Sequence, residues 1–179
     1  MRLSKISTKT GDTGKSALAK GERLDKHDPF FEVLGDLDEL NAWVGHIRSS
    51  NDVKDIDKKL ESIQQDLFNL GGEISLKGEH SLFDEIRTKE LESDIENWNE
   101  KLPPLKEFIL PGGEEILSRM HIARTVCRRS ERKISKLDHS LPHYEKWIPY
   151  INRLSDWFFV LARYINSQSD QSETMWNRE

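Results

Sequence analysis

A chain of 179 residues is long enough for one well-cored domain and short for two. Charged residues make up 33% and the apolar and aromatic set 35%, the balance of a soluble helical protein, and a net charge of -5 argues against nucleic acid as the main partner. One cysteine, Cys127, excludes a disulfide framework and a cysteine metal site, and no apolar run approaches membrane-spanning length, so a cytoplasmic protein without a membrane partner is expected.

Residues 4–26 are small, polar and rich in glycine, with Gly11, Gly14 and Gly21 spread through them. They read as an irregular loop with short extended pieces, able to offer backbone N–H groups, threonine hydroxyls and lysine ammoniums to phosphates. A disordered tail is the alternative. Gly14-Lys15-Ser16 has the end of a Walker A motif, but Lys9 stands where its first glycine belongs and no apolar strand leads in. Asp28-Pro29 starts a helix that runs to about Ser49, its apolar side interrupted by Asp38 and Asn41. After Asn51-Asp52 comes the clearest seam in the chain: Ile56, Leu60, Ile63, Leu67, Leu70 and Ile74. A polar loop over 77–85 leads to a shorter helix with Leu91, Ile95, Trp98 and Leu102 inward, which Pro103-Pro104 ends.

The Pro111-Gly112-Gly113 turn then opens one long helical pattern to Leu137. Ile116, Met120, Ala123, Cys127, Ile134 and Leu137 form its packing seam, with Ser130 in the gap. Leu117, Arg124, Arg128 and Glu131 make a second stripe beside it. Two arginines and a glutamate against an apolar edge suit an anion site at a subunit boundary; an ordinary bundle helix with a surface ion network is the competing reading. The last helix is predicted from about Trp147, with Pro149 in its first turn, to about Ser167. Its seam is Ile151, Leu154, Phe158, Leu161 and Ile165, with Asn152 and Asp156 one turn apart beside it and Arg163 further along. The tail is polar except for Met175 and Trp176, which are expected to pack back or cover something.

No linker divides the chain, so one domain over 1–179 is expected: a loop (1–27), an all-α bundle of four long helices and one short (28–167), and a tail (168–179). No Glu-x-x-His occurs, which sets aside a di-iron carboxylate site, and His46 and His121 are expected at the surface or an interface.

Four segments say more together than apart: TKTGDTG (8–14) followed by Arg23 and Lys26, GDLDELN (35–41), FILPGG with ARTVCRRSER (108–132), and NRLSDWFFVLAR (152–163). In that order the chain resembles the PduO-type ATP:cob(I)alamin adenosyltransferases, over nearly its whole length. The resemblance implies a five-helix bundle assembled as a homotrimer with active sites between subunits. Its substrates would be ATP, with Mg²⁺, and cob(I)alamin or cob(II)alamin, the products adenosylcobalamin and triphosphate. By motif position, Thr8, Lys9, Thr10, Gly11 and Gly14 would wrap the polyphosphate, and Lys26 would add a cation. Arg128, Glu131 and Asn152 would hold the nucleotide and its phosphates, Mg²⁺ being bound mainly through those phosphates. Arg124 would pair with Asp38 of the neighbouring subunit. Phe108 would lie under the corrin ring, and with Arg128 and Glu131 it makes the expected catalytic set. A reductase and an adenosylcobalamin-dependent acceptor enzyme are the protein partners that the resemblance admits.

The chemistry agrees. Triphosphate is a highly charged leaving group, and each charge-assisted hydrogen bond to it is worth roughly 1.5–3 kcal/mol. Cobalt(I) is itself the nucleophile, so a chain without a Ser/His/Asp or Cys/His set suffices. Two positions depart from the family pattern: Asp36, where a small or hydroxyl residue is commoner, and Glu114-Glu115, which puts negative charge at a helix N-terminus. ATP is therefore expected away from Glu114. A non-catalytic nucleotide- or corrinoid-binding trimer, and a purely structural one, are the other readings.

Overall fold

Asp28 caps the first helix: its carboxylate accepts from the Phe30 N–H at 3.0 Å, and Pro29 follows at the first helical position. The structure, a computed structural model, describes residues 7, 9–51, 53–169 and 172–178. Within these, two short strands precede five helices. The strands β1 (Lys15–Ala17) and β2 (Arg23–Asp25) pair antiparallel, Ser16 opposite Leu24. The helices are α1 (Pro29–Arg48), α2 (Lys54–Ser75), α3 (Ile86–Asn99), α4 (Glu115–Ile134) and α5 (Tyr144–Asn166). The bundle of four long helices and one short is thus as expected, while the glycine-rich segment folds into a hairpin.

The predicted seam of α2 is buried throughout, and α1 stands between α2 and α4 while α5 packs on α3 and α4. Cross-helix pairs set the directions. Arg48 meets Asp57 across α1 and α2, and Glu131 meets Asn152 across α4 and α5, so both pairs of helices are antiparallel. The first turn of α1 and the last turns of α2 and α4 therefore share one end of the bundle with the start of α5. Trp147, Tyr150, Trp157 and Phe158 fill the centre from α5.

One prediction about α5 fails. The helix begins at Tyr144, so Pro149 lies inside it rather than in its first turn. Tyr144 and Trp147 are buried, and sinking these two rings extends the helix by a turn despite the hydrogen bond that Pro149 forgoes. Gly78 lets the loop after α2 meet the turn before α5: its φ is +74°, and a Cβ there would fall 1.9 Å from the Pro142 carbonyl oxygen.

Two carboxylates within the core are tightly paired. Glu73, fully buried, accepts from the N–H groups of Leu82 (2.7 Å) and Phe83 (2.9 Å) and from the Trp147 indole (2.7 Å). Asp66 accepts from Arg87 at 2.9 Å and from the Tyr150 hydroxyl at 3.0 Å. Because all three partners of Glu73 are donors, Glu73→Gln must turn its NH₂ against at least one N–H. A loss of about 2 kcal/mol is expected, read as a fall of roughly 6 °C in Tm. An unmoved melting point would contradict this role for the carboxylate.

Candidate active site

Helix α4 carries three stripes at 100° per residue. Met120, Ala123, Cys127, Ser130 and Ile134 enter the core. Arg129 and Lys133 face α1, where both bond the buried Asp36, Arg129 Nε at 3.0 Å and Lys133 Nζ at 2.9 Å. Arg124, Arg128 and Glu131 take the third stripe, beside α5. The structure brings Glu131 and Asn152 together: Asn152 Nδ2 donates to Glu131 Oε1 at 3.0 Å. Arg153, itself held by Glu92 at 2.8 Å, donates to Asn152 Oδ1 at 3.0 Å. Both ends of the Asn152 amide are thus fixed, and the Glu131 carboxylate with it. Arg128 stands exposed near Asp156, whose carboxyl burial pushes up and the Arg153 and Arg128 charges pull back.

The hairpin gathers a second group. Arg23 Nη2 donates to the carbonyls of Thr10 (2.6 Å) and Lys15 (3.1 Å), tying the loop to β1. Lys26 N–H bonds the Gly14 carbonyl at 2.8 Å, and Gly14 adopts φ +79°. Gly11 leaves room for the Lys26 ammonium, which a Cβ there would meet at 3.2 Å. Gly11, Gly14 and Lys26 therefore converge, with Lys9 and Thr10 exposed on the same loop. Thr8 lies outside the described residues. The hairpin is docked on the end of α2, through Ala19 N–H to Ser75 Oγ (3.0 Å) and the ion pairs Glu22–Lys77 and Lys20–Glu79. Its bonds run to α2, while the Arg128 stripe faces α5 beyond α1.

Two further expectations fall apart from each other within one chain. Asp38 is exposed on α1, beside a groove of about 320 Å³ that Leu34, Leu67 and the protruding Phe68 help to line. Arg124 lies on the far side, its Cζ 5.9 Å over the Phe159 ring and its buried Nε without a partner. Burial, then Arg128, lowers its pKa. Phe108 is at the opposite end of α4 from Arg128, about 20 Å of helix away at roughly 1.5 Å per residue. It is 70% exposed, and its segment pairs with the tail through the bridge Ile109–Met175, as expected for Met175 and Trp176. Behind that segment is a cavity of about 320 Å³ lined in part by Leu110, Gly113, His121 and Arg163. Glu115 pairs with Arg119, and Arg119 Nη1 donates to the His46 carbonyl at 3.1 Å, so this acidic start lies away from the Arg128 stripe.

The family model for cobalamin adenosyltransferase matches residues 6–165. The chain belongs to that family. It is 42% identical to the cobalamin adenosyltransferase of Cupriavidus metallidurans, over 99% of this chain and 97% of that protein. It is 37% identical to the corrinoid adenosyltransferase of Bacillus subtilis, over 97% of this chain and 93% of that one. A solved variant of the PduO-type ATP:corrinoid adenosyltransferase from Lactobacillus reuteri, complexed with cobalamin and ATP, superposes with a TM-score of 0.90 at 37% identity, covering 97% of both chains.

Sequence reasoning left three residues of this region without a role. Arg153 follows Asn152 directly, but its hold on the amide depends on Glu92 of a third helix. Spacing sets Asp156 beside the seam but says nothing of Arg128, whose charge reaches it in the structure. His121 was expected at a surface or interface, yet it is only 7% exposed in the single chain, packed near Phe159 with its Nδ1 buried and unpartnered. Burial, then the Arg124 charge, lowers its pKa from the ordinary 6.5. The unfolded chain therefore takes up a proton at a higher pH than the folded one. The stability His121 contributes is full above its ordinary pKa and is lost as pH falls from there toward the depressed folded value. Between pH 7 and about 5, His121→Phe should lose less stability than the wild type in denaturant titrations; equal losses would contradict the assignment.

Proposed function

We propose that this protein transfers the 5′-deoxyadenosyl group of ATP to the cobalt of a reduced corrinoid. The observation that carries the reading is the likeness, over 97% of both chains, to an enzyme complexed with cobalamin and ATP. The local geometry supports it. Gly11 and Gly14 shape a loop that sets the Lys26 ammonium beside it, a donor suited to a polyphosphate. Arg128, Glu131 and Asn152 form a second polar set on another face. Phe108 offers a bare aromatic ring at the far end of α4.

In this reading the two polar sets meet between protomers of a homotrimer. The α1/α2 groove of one subunit receives the face of α4 of the next that carries Arg124 and Arg128. Arg124 then finds Asp38 of the neighbouring subunit, and its unpartnered Nε gains an acceptor. The loop of one protomer and Arg128 of the other clasp the triphosphate from two sides. Glu131, with its Oε1 already bonded to Asn152, is a carboxylate on this face available to Mg²⁺. One carboxylate plus substrate phosphates is an ordinary Mg²⁺ ligand set, and there the ion would offset phosphate charge. Cobalt(I) attacks C5′, the Co–C bond forms as the C5′–O bond breaks, and the electron pair leaves with triphosphate. Arg128 and Lys26 stabilise that leaving charge. Phe108 lies under the corrin ring where a lower axial ligand would sit, and excluding that ligand makes cobalt(II) easier to reduce. The electrons come from a reductase, the product passes to an adenosylcobalamin-dependent enzyme, and the setting is the cytoplasm.

The test mixes the protein with ATP, Mg²⁺ and chemically reduced cobalamin in the absence of oxygen. A light-sensitive alkylcobalamin spectrum should develop with one triphosphate per corrinoid, and a spectrum that never changes would contradict the reading. Arg128→Ala should raise the Kd for ATP by about 10- to 100-fold, the worth of one charge-assisted bond. An unchanged ATP affinity would remove Arg128 from the site.

A further inference from the structure

An exposed ring cannot be placed by burial. Phe108 touches the Trp176 ring, centroids 6.2 Å apart, and otherwise projects outward, so its position is set by its backbone. That backbone pairs with the tail through two hydrogen bonds: Leu110 N–H to the Thr174 carbonyl at 2.9 Å, and Trp176 N–H to the Phe108 carbonyl at 2.7 Å. A two-stranded ribbon of this length has little stability of its own. The ion pair Arg178–Glu107, at 2.6 Å, crosses it at the surface, where Arg178 is largely solvated and solvent screens the attraction.

The buried tie lies behind. Arg163, in the last turn of α5, is 5% exposed. Its Nε and Nη2 donate to the two carboxylate oxygens of Glu173 at 3.0 and 3.3 Å, the paired geometry of a guanidinium fork. Nη2 also donates to the Pro103 carbonyl at 3.0 Å. Pro103 begins the irregular segment that leads to Phe108, and Glu173 immediately precedes the tail residues that pair with it. One guanidinium therefore ties to the bundle both the residue that precedes the tail strand and the start of the segment that leads to Phe108.

We infer that Arg163 and Glu173 are positioning residues for Phe108, an inference that rests on the adenosyltransferase reading above. Neither touches the reacting atoms. They hold the ring at the height and angle at which it displaces the lower axial ligand of cobalt, and without them the ribbon lifts and the ligand returns.

The test uses the full chain and Glu173→Ala, a change on the tail that leaves the bundle core intact, with Arg163→Lys as a second variant. A lysine keeps the charge but cannot make the two-nitrogen fork to both carboxylate oxygens of Glu173. In the free protein, Glu173→Ala should speed hydrogen exchange at the Leu110 and Trp176 amides by at least about tenfold while α2 and α5 amides keep their rates. With ATP and cob(II)alamin, the four-coordinate signal in electron paramagnetic resonance should fall by about tenfold, toward that of Phe108→Ala, while the Kd for ATP is retained. Arg163→Lys should fall between the two. Wild-type exchange at both amides, or faster exchange with a wild-type cobalt signal, would overturn the inference. A wild-type protein that made no adenosylcobalamin would sink the parent reading instead, and the exchange rates would still decide whether the pair holds the Phe108 strand.

Discussion

The buried carboxylate of Asp36 fixes how α4 is rotated in the bundle. Arg129 and Lys133 are one helical turn apart, and both must reach the same two oxygens from across α1. Glu39 and Glu32 take their remaining donors at the surface. The bond to Asp36 is the main reason the Lys133 ammonium is held above its ordinary pKa. At 100° per residue, pinning positions 129 and 133 toward α1 sends the core seam about a third of a turn round and Arg124, Arg128 and Glu131 about a quarter further. A different rotation would bury Arg128 or expose Cys127. Asp36 is thus an internal clamp that leaves the candidate site's charges free to face outward.

From that rotation the division of the site follows. The hairpin over 11–26 hangs from the end of α2, while Arg128, Glu131 and Asn152 face away across α1, and Phe108 projects at the other end of α4. No one of these groups is a whole site. Under the proposed reading, the arginine with a buried, unpartnered Nε beside Phe159 and the phenylalanine 68% exposed above the α1/α2 groove lie on surfaces that another copy of the chain covers. Assembly and catalysis are then the same event: the contact that satisfies Arg124 also closes the loop over ATP.

Much of this is legible in the sequence, for reasons that differ by element. The seam of α2 and the Asp28-Pro29 start of α1 are local signals, set by 3.6-residue periodicity and capping, and both appear where expected. The start of α5 is not local: Tyr144 and Trp147 draw it back into the core, and Pro149 misleads because first-turn statistics ignore what the preceding residues can bury. The clustering of Glu131 with Asn152 follows once each helix has the right phase. Arg153, His121 and Arg163 escape because their partners, Glu92, Phe159 and Glu173, lie on elements that no spacing rule connects to them. The hairpin is read only as extended pieces, since its register depends on Leu18 finding the core and on Ser75 at the end of α2.

The central claim is that each site is built from two protomers. It is tested most directly by mixing two variants impaired in ATP binding, Lys26→Ala in the loop and Arg128→Ala on α4, dissociating them together, allowing them to reassemble and assaying at ATP below their raised Kd. Shared sites predict that adenosyltransferase activity returns in the mixture, because some interfaces then pair an intact loop with an intact α4 face. Activity no higher than in either variant alone, with mixed oligomers present, would contradict the account.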